Sequence, residues 1–232
     1  MLKLWVIFIV SALAIIISGT KLSDYGDIIA IKTGLGQALV GSILVAGATS
    51  LPEVVTSSTA AIIGSPNISI GNVFGSNTFN LMILALADLI HGPGPFMLRV
   101  NSRHILSALL GILLSATATL FILASYLTDF DIEIFTVGLG SITIFVTYLI
   151  GARLIFRYDS KTTEVDEDEE KLLDLDVSLK KAILYFSISA IVIIISGISL
   201  SYSADNIATL TGLDETFMGT ILVADATSLP EV

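Results

Sequence analysis

Glu53 and Glu231 stand in two copies of one heptapeptide, ATSLPEV, at residues 48–54 and 226–232. In each copy a threonine and a serine precede the proline and the glutamate follows it. Proline has no amide hydrogen and clashes with the carbonyl one turn back, so Pro52 is expected to interrupt a helical ladder around Ala48. The interruption would release carbonyl oxygens from Ala46 to Ala48. Thr49 and Ser50 add hydroxyls, and Glu53 adds a carboxylate one turn on. Hard oxygen donors with one carboxylate per copy suit a dehydrated Ca²⁺ or Na⁺ better than a soft metal. A Ser-Leu-Pro in an apolar helix is otherwise a kink whose hydroxyls bond back to the helix. Repetition with the glutamate included favours the cation reading, because a carboxylate at membrane depth costs a few kcal/mol on insertion scales.

A second polar pattern lies downstream in GNVFGSNTFN, Gly71 to Asn80. Asn72, Ser76 and Asn80 recur every four residues and share one helix face. Gly71 and Gly75 form a GxxxG pair that permits close helix approach. Close packing accounts for the glycines by itself, but three amide or hydroxyl groups on one face call for polar company. Ser76 and Asn80 can reach the broken helix before them.

The elements that must position these residues are membrane spans. The chain has 232 residues, 54% hydrophobic and 14% charged, and a mean hydropathy of +0.91, too apolar for a soluble domain of this length. The absence of cysteine excludes disulfides and thiolate metal sites. Apolar runs of membrane-crossing length fall at 4–20, 37–63, 68–90, 104–127, 132–156 and 182–203, and a seventh begins near Phe217. Lys3 before the first run resembles a signal peptide. A twin of that run deeper in the chain marks it as a retained helix instead.

The twin appears when the chain is laid on itself at an offset of 178 residues: Ser11–Val54 aligns with Ser189–Val232 without a gap, and 27 of 44 positions are identical. Five spans separate each helix from its copy, and an odd number reverses direction across the membrane. The expected fold is therefore an all-α, polytopic transmembrane bundle of inverted five-helix repeats, the second incomplete, with a site near the midplane where the repeats meet. Residues 1–156 form the first repeat, 157–181 an acidic loop, and 182–232 the start of the second repeat.

Basic residues assign the sides. Alternate loops place Lys21, Lys32, Arg99, Arg103, Arg153, Arg157, Lys161, Lys171, Lys180 and Lys181 together, against Lys3 alone. The first side is expected to be cytoplasmic and the N-terminus outside, in a multi-pass protein of the cell membrane. The net charge of −10 is concentrated at 164–176, where eight acids face one lysine; without that local −7 the chain carries −10 + 7 = −3. A solvated cytoplasmic linker accounts for this run, with a regulatory cation site as the alternative.

GSILVAGATSLPE followed by GNVFGSNTFN resembles the first signature repeat of the sodium/calcium exchangers, within the cation/calcium exchanger superfamily, and GTILVADATSLPE is similar to the start of the second. The resemblance implies ten helices in two inverted halves and exchange of Ca²⁺ against Na⁺ by alternating access. It also implies that ions are bound by Thr49, Ser50, Glu53, Ser76 and Asn80, by Thr227, Ser228 and Glu231, and by backbone carbonyls, at Ala46 and Ala224 here. The partners it implies are the lipid bilayer, Ca²⁺ and Na⁺ or H⁺ as transported ions, and further C-terminal helices needed to complete the site. No cofactor and no nucleic acid are implied.

Departures from the family pattern bear on selectivity. Ala48 and Ala226 stand where glycine is common, and Asp225 stands opposite Gly47 in the other copy. Asp225 can bind a cation, carry a proton or face a water-filled vestibule. A proton-coupled cation exchanger and a non-transporting cation sensor therefore remain as alternatives. An enzyme is not expected, since no His, Cys or metal constellation accompanies any serine in the spans. Asp27 and Asp205, repeat equivalents near helix ends, read as caps or interfacial contacts. Asp88 reads as paired or snorkelling, and His91 and His104 are weak evidence for a pH sensor.

Overall fold

The computed structural model describes residues 1–33, 46–91, 102–128, 132–159 and 177–231. The acidic run at 164–176, with Arg99, Lys161 and Lys171, lies outside the described residues, as do the side chains of Arg103, His104 and Glu231. Two units make up the chain: residues 1–90 with 166–232, and residues 91–165.

The first unit is built around its two longest helices, α1 (Leu2–Lys32) and α6 (Leu179–Thr211). At 1.5 Å per residue each is roughly 45–50 Å long, more than the hydrocarbon thickness requires. The termini have local causes. Ser178 caps the start of α6, its Oγ accepting from the Lys181 amide, and Gly212 ends the helix in the left-handed region at φ 73°. That conformation costs glycine no Cβ clash. At the end of α1 the Thr33 hydroxyl donates to the Ile29 carbonyl at 2.6 Å.

These helices run antiparallel, since contact partners rise in number along α1 as they fall along α6. Phe8 clusters with Ala204 and Leu22 with Ile193, and Gly26 lies against the Phe186 ring. Tyr25 stacks on Tyr185 at 5.2 Å between ring centroids, and Lys32 Nζ donates to the Val177 carbonyl at 2.6 Å. The buried stripe of α1 includes Ser11, Ile15, Ser18, Gly19 and Leu22; that of α6 includes Ser189, Ile193, Ser196, Gly197 and Leu200, each 178 positions later. Serine and glycine recur in both stripes because helices in lipid gain by close backbone approach and not by water exclusion. A Cβ at Gly19 would stand 2.6 Å from Pro230 Cβ, and one at Gly197 would stand 2.8 Å from Val55 Cγ1.

The rest of this unit packs on the pair. Residues 46–49 are helical, Ser50 turns, and α2 (Leu51–Ile62) follows with Pro52 in its first turn. A turn through Gly64, at φ 90°, leads into α3 (Pro66–His91). After Gly212 come α7 (Glu215–Phe217), a π-helical stretch Met218–Val223, α8 (Ala224–Ser228) and a 3₁₀ turn Leu229–Glu231.

The second unit is an antiparallel helical hairpin of α4 (Ser102–Thr128) and α5 (Leu139–Asp159), in which Gly140 lies on Phe121 and Gly151 on Leu110. Its connection corrects the sequence expectation of a span starting at residue 132. Glu133–Ile134 (β1) pairs with Val137–Gly138 (β2) in a tight hairpin whose turn residues Phe135 and Thr136 take φ 52° and 65°. Short apolar runs rich in β-branched and aromatic residues are ambiguous between strand and helix, and here the strand wins.

Among the described residues four helices are long and apolar enough to cross a membrane: Leu2–Lys32, Pro66–His91, Ile105–Thr128 and Leu179–Thr211. Their lipid-facing character is visible in the many exposed large hydrophobics, among them Ile17, Leu81, Leu120 and Ile195. Apart from the two-residue strands and short turns, the described residues are helical.

Candidate functional site

Pro52 acts locally as its chemistry requires. The helix stops at Thr49, Ser50 turns with φ −85° and ψ 5°, and α2 begins at Leu51. Glu53 thereby sits in the first turn of α2, where unsatisfied amides favour a carboxylate. The Ala46 carbonyl, expected to be released, is engaged: it accepts from the Ser50 amide at 3.1 Å and from the Thr49 hydroxyl at 3.1 Å. The second copy repeats the side-chain contact, Thr227 Oγ1 lying 3.1 Å from the Ala224 carbonyl.

The two copies meet. Ser228 Oγ donates to Glu53 Oε1 at 3.3 Å across 175 residues of sequence. Ala224, Thr227 and Ser228 are fully buried, whereas Ala46 and Ser50 are exposed and Thr49 is half-buried. The second copy is covered from several sides: by α1, whose Gly19 lies against Pro230, by α2 and by α3. Gly71 of α3 approaches Thr216 and Thr220, and a Cβ on Gly75 would collide with the Thr220 carbonyl and stand 2.6 Å from Ala224 Cβ. In return, a Cβ on Gly219 would stand 2.5 Å from the Ile68 carbonyl oxygen. The π-helical stretch lies on this contact, where its wider turn carries the Ala224 amide back to the Gly219 carbonyl.

α3 also supplies the polar centre. Asn72, fully buried, donates from Nδ2 to Thr56 Oγ1 and Ser57 Oγ, both at 2.8 Å, and its Oδ1 lies 3.2 Å from Thr227 Oγ1. Thr56 in turn donates to the Pro52 carbonyl at 2.8 Å, and Ser201 of α6 donates to the Thr56 carbonyl at 2.8 Å. Ser76, one turn beyond Asn72, is buried, and among the described residues its hydroxyl has no hydrogen-bond partner. Buried hydroxyls are rarely left so, which makes Ser76 Oγ a candidate ligand oxygen.

Of the residues expected from sequence, the structure brings Glu53 and Ser228 into contact and links Thr227 to α3, the helix that carries Ser76. Asn80 is exposed on α3, and the Glu231 side chain lies outside the described residues. Thr56, Ser57 and Asn72 join the site without having been assigned to it. Their signal was present: Pro52, Glu53, Thr56 and Ser57 share one face of α2, and Asn72 shares a face with Ser76. Among the described residues no group of three His, Cys, Asp or Glu side chains is placed to hold a metal. Asp225 is half-buried on α8, while a Cβ at its equivalent, Gly47, would meet nothing within 4 Å. Asp205 is an interhelical contact, accepting from the buried Ser65 hydroxyl.

Apolar helices with a duplicated, proline-broken polar segment and glycine-packed partners define a multi-pass membrane protein of the transporter type. The chain belongs to the sodium/calcium exchanger protein family, whose pattern matches residues 3–154 and 181–232. It is 28% identical to the inner membrane protein YrbG of Escherichia coli (strain K12) across 100% of this chain and 69% of YrbG. It is 32% identical to the putative antiporter CaxA of Alkalimonas amylolytica over 38% of this chain and 28% of that protein. With the sodium/calcium exchanger MaX1 of Methanosarcina acetivorans it shares 37% identity over 36% of this chain and 24% of MaX1. No solved structure gives a significant match.

Proposed function

We propose that this protein is a secondary-active antiporter, not an enzyme, that exchanges Ca²⁺ for Na⁺ across the cell membrane by alternating access. The observation that carries this reading is the contact between the two motif copies, Ser228 Oγ on Glu53 Oε1 at 3.3 Å. It draws a carboxylate of one copy and a hydroxyl of the other to one point beside the helix break. The antiparallel packing of α1 on α6, with equivalent residues buried, supports inverted repeats that present the same oxygens to either side in turn. Thr49, Ser50, Glu53, Ser76 and Asn80 from the first repeat, and Thr227, Ser228 and Glu231 from the second, are the proposed ligands, with the Ala46 and Ala224 carbonyls. Glu53 and Glu231 together balance a divalent charge that neutral oxygens would leave uncompensated.

One observation favours a proton-coupled variant: Asp225 adds a half-buried acid to the second copy where the first has Gly47. Ion flux separates the two. Vesicles holding the full protein, loaded with Na⁺ and diluted into Na⁺-free medium without a pH gradient, should accumulate Ca²⁺. Uptake that follows an imposed pH gradient and ignores Na⁺ would assign the coupling ion as H⁺, and cation binding without flux would reduce the protein to a sensor.

A further inference from the structure

The hydrogen bonds around Asn72 have a direction that can be read proton by proton. The Thr56 hydroxyl has one proton and points it at the Pro52 carbonyl, 2.8 Å away, so toward Asn72 it offers only a lone pair. Asn72 must therefore turn its amide nitrogen to Thr56 and Ser57, and both contacts are 2.8 Å. That orientation leaves Oδ1, an acceptor without a proton, facing Thr227. Thr227 Oγ1 also has a single proton and two oxygens within reach, Asn72 Oδ1 at 3.2 Å and the Ala224 carbonyl at 3.1 Å. A cation can be bound by a hydroxyl only on its lone-pair side.

We propose that Asn72 is a positioning residue that accepts the Thr227 proton, so that Thr227 Oγ1 and the Ala224 carbonyl both turn lone pairs to the bound cation. Without Asn72 the proton has one neighbouring acceptor among the described residues, the Ala224 carbonyl, and the hydroxyl then blocks a ligand oxygen while turning its proton to the site. Asn72 touches no ion; it acts through Thr227, from a fully buried place on α3. The inference rests on the cation-binding reading of this site.

The test is a double-mutant cycle read by Ca²⁺ titration calorimetry on the full chain in detergent. Asn72→Leu and Thr227→Val should each weaken Ca²⁺ binding about tenfold, and the double variant should be no weaker than Thr227→Val alone. Additive losses, or unchanged affinity in a folded Asn72→Leu protein, would overturn the proposal. Asn72→Asp is the second variant: it keeps an oxygen for the Thr227 proton, the Thr56 and Ser57 hydroxyls can rotate to donate to its other oxygen, and Ca²⁺ affinity should stay within about threefold of wild type. A folded Asp variant as weak as the Leu variant would also overturn it, as would failure of both to fold, which would make Asn72 a packing residue. Wild-type protein that binds neither Ca²⁺ nor Na⁺ would instead sink the transport reading, and this inference with it.

Discussion

Ser228 hydrogen-bonds Glu53 at 3.3 Å, joining positions in two copies of one heptapeptide. Residue 228 is the repeat equivalent of Ser50, so the glutamate of the first copy faces the serine of the second. A two-fold arrangement would place Glu231 opposite Ser50 in the same way. At this point Glu53 supplies the carboxylate and Ser228 the hydroxyl.

Glu53→Gln keeps the shape of the side chain and removes its charge. Ca²⁺ flux in reconstituted vesicles should fall more than about tenfold, which corresponds to a loss of about 1.4 kcal/mol or more at the site. Expression and thermal stability in detergent should be retained, and Glu231→Gln should behave alike. Asp27→Asn, a half-buried acid of α1 away from the break, is the control and should retain most of the flux. Normal flux in both glutamine variants would remove these residues from the ion path.

Gly75 is the tightest point between α3 and the segment that leads into the second motif copy. A methyl group there meets backbone at Thr220 as well as Ala224 Cβ, and backbone does not yield as a flexible side chain does. Gly75→Ala should lower stability by about 1–3 kcal/mol, the usual range for overpacking. Gly111 in α4 has open space around it, so Gly111→Ala should be neutral or stabilising by up to about 1 kcal/mol. Detergent thermal melts of the two variants should therefore move in different directions, and equal shifts would contradict the packing.

Much of this arrangement was legible because the sequence repeats. The offset that aligns the motif copies also aligns the buried stripes of α1 and α6, down to Ser18 and Gly19 against Ser196 and Gly197. What was not legible depends on contacts between segments distant in sequence. Asn72 reads as one of three polar groups on a face, and only the approach of α2 and α8 makes it a hub. Thr56 and Ser57 read as ordinary polar residues of a helix until Asn72 reaches them. The π-helical stretch has no composition of its own; it lies where Gly75 presses on Thr220. The hairpin at 133–138 is apolar enough to pass for the start of a span, and the left-handed backbone of Phe135 and Thr136 has no glycine to announce it.

Asp205 ties α6 to the α2–α3 turn through the Ser65 hydroxyl. Ser65 is 2% exposed, so the bond is sheltered. Hydrogen bonds to charged groups contribute roughly 1.5–3 kcal/mol. Ser65→Ala should cost about that amount in a detergent melt. Asp205→Asn, which retains an acceptor oxygen, should cost less. A larger loss in the Asn variant than in the Ala variant would show that Asp205 stabilises through its charge and not through this bond.

Sidedness offers a test independent of ions. Basic residues divide ten to one between alternate ends of the apolar runs, which predicts a cytoplasmic position for Ser160. The chain contains no cysteine, so Ser160→Cys introduces a single thiol into an otherwise silent background. A membrane-impermeant maleimide should leave that thiol unlabelled in intact cells and label it after permeabilisation. The five helices that precede residue 160 in this reading fix the parity between the N-terminus and this loop. A second thiol at Leu2 should therefore show the opposite behaviour, reacting from outside in intact cells. Labelling of both positions from the same side would break the odd span count. An even count would run the two motif copies in parallel across the membrane, and the inverted relationship on which the transport reading depends would be lost.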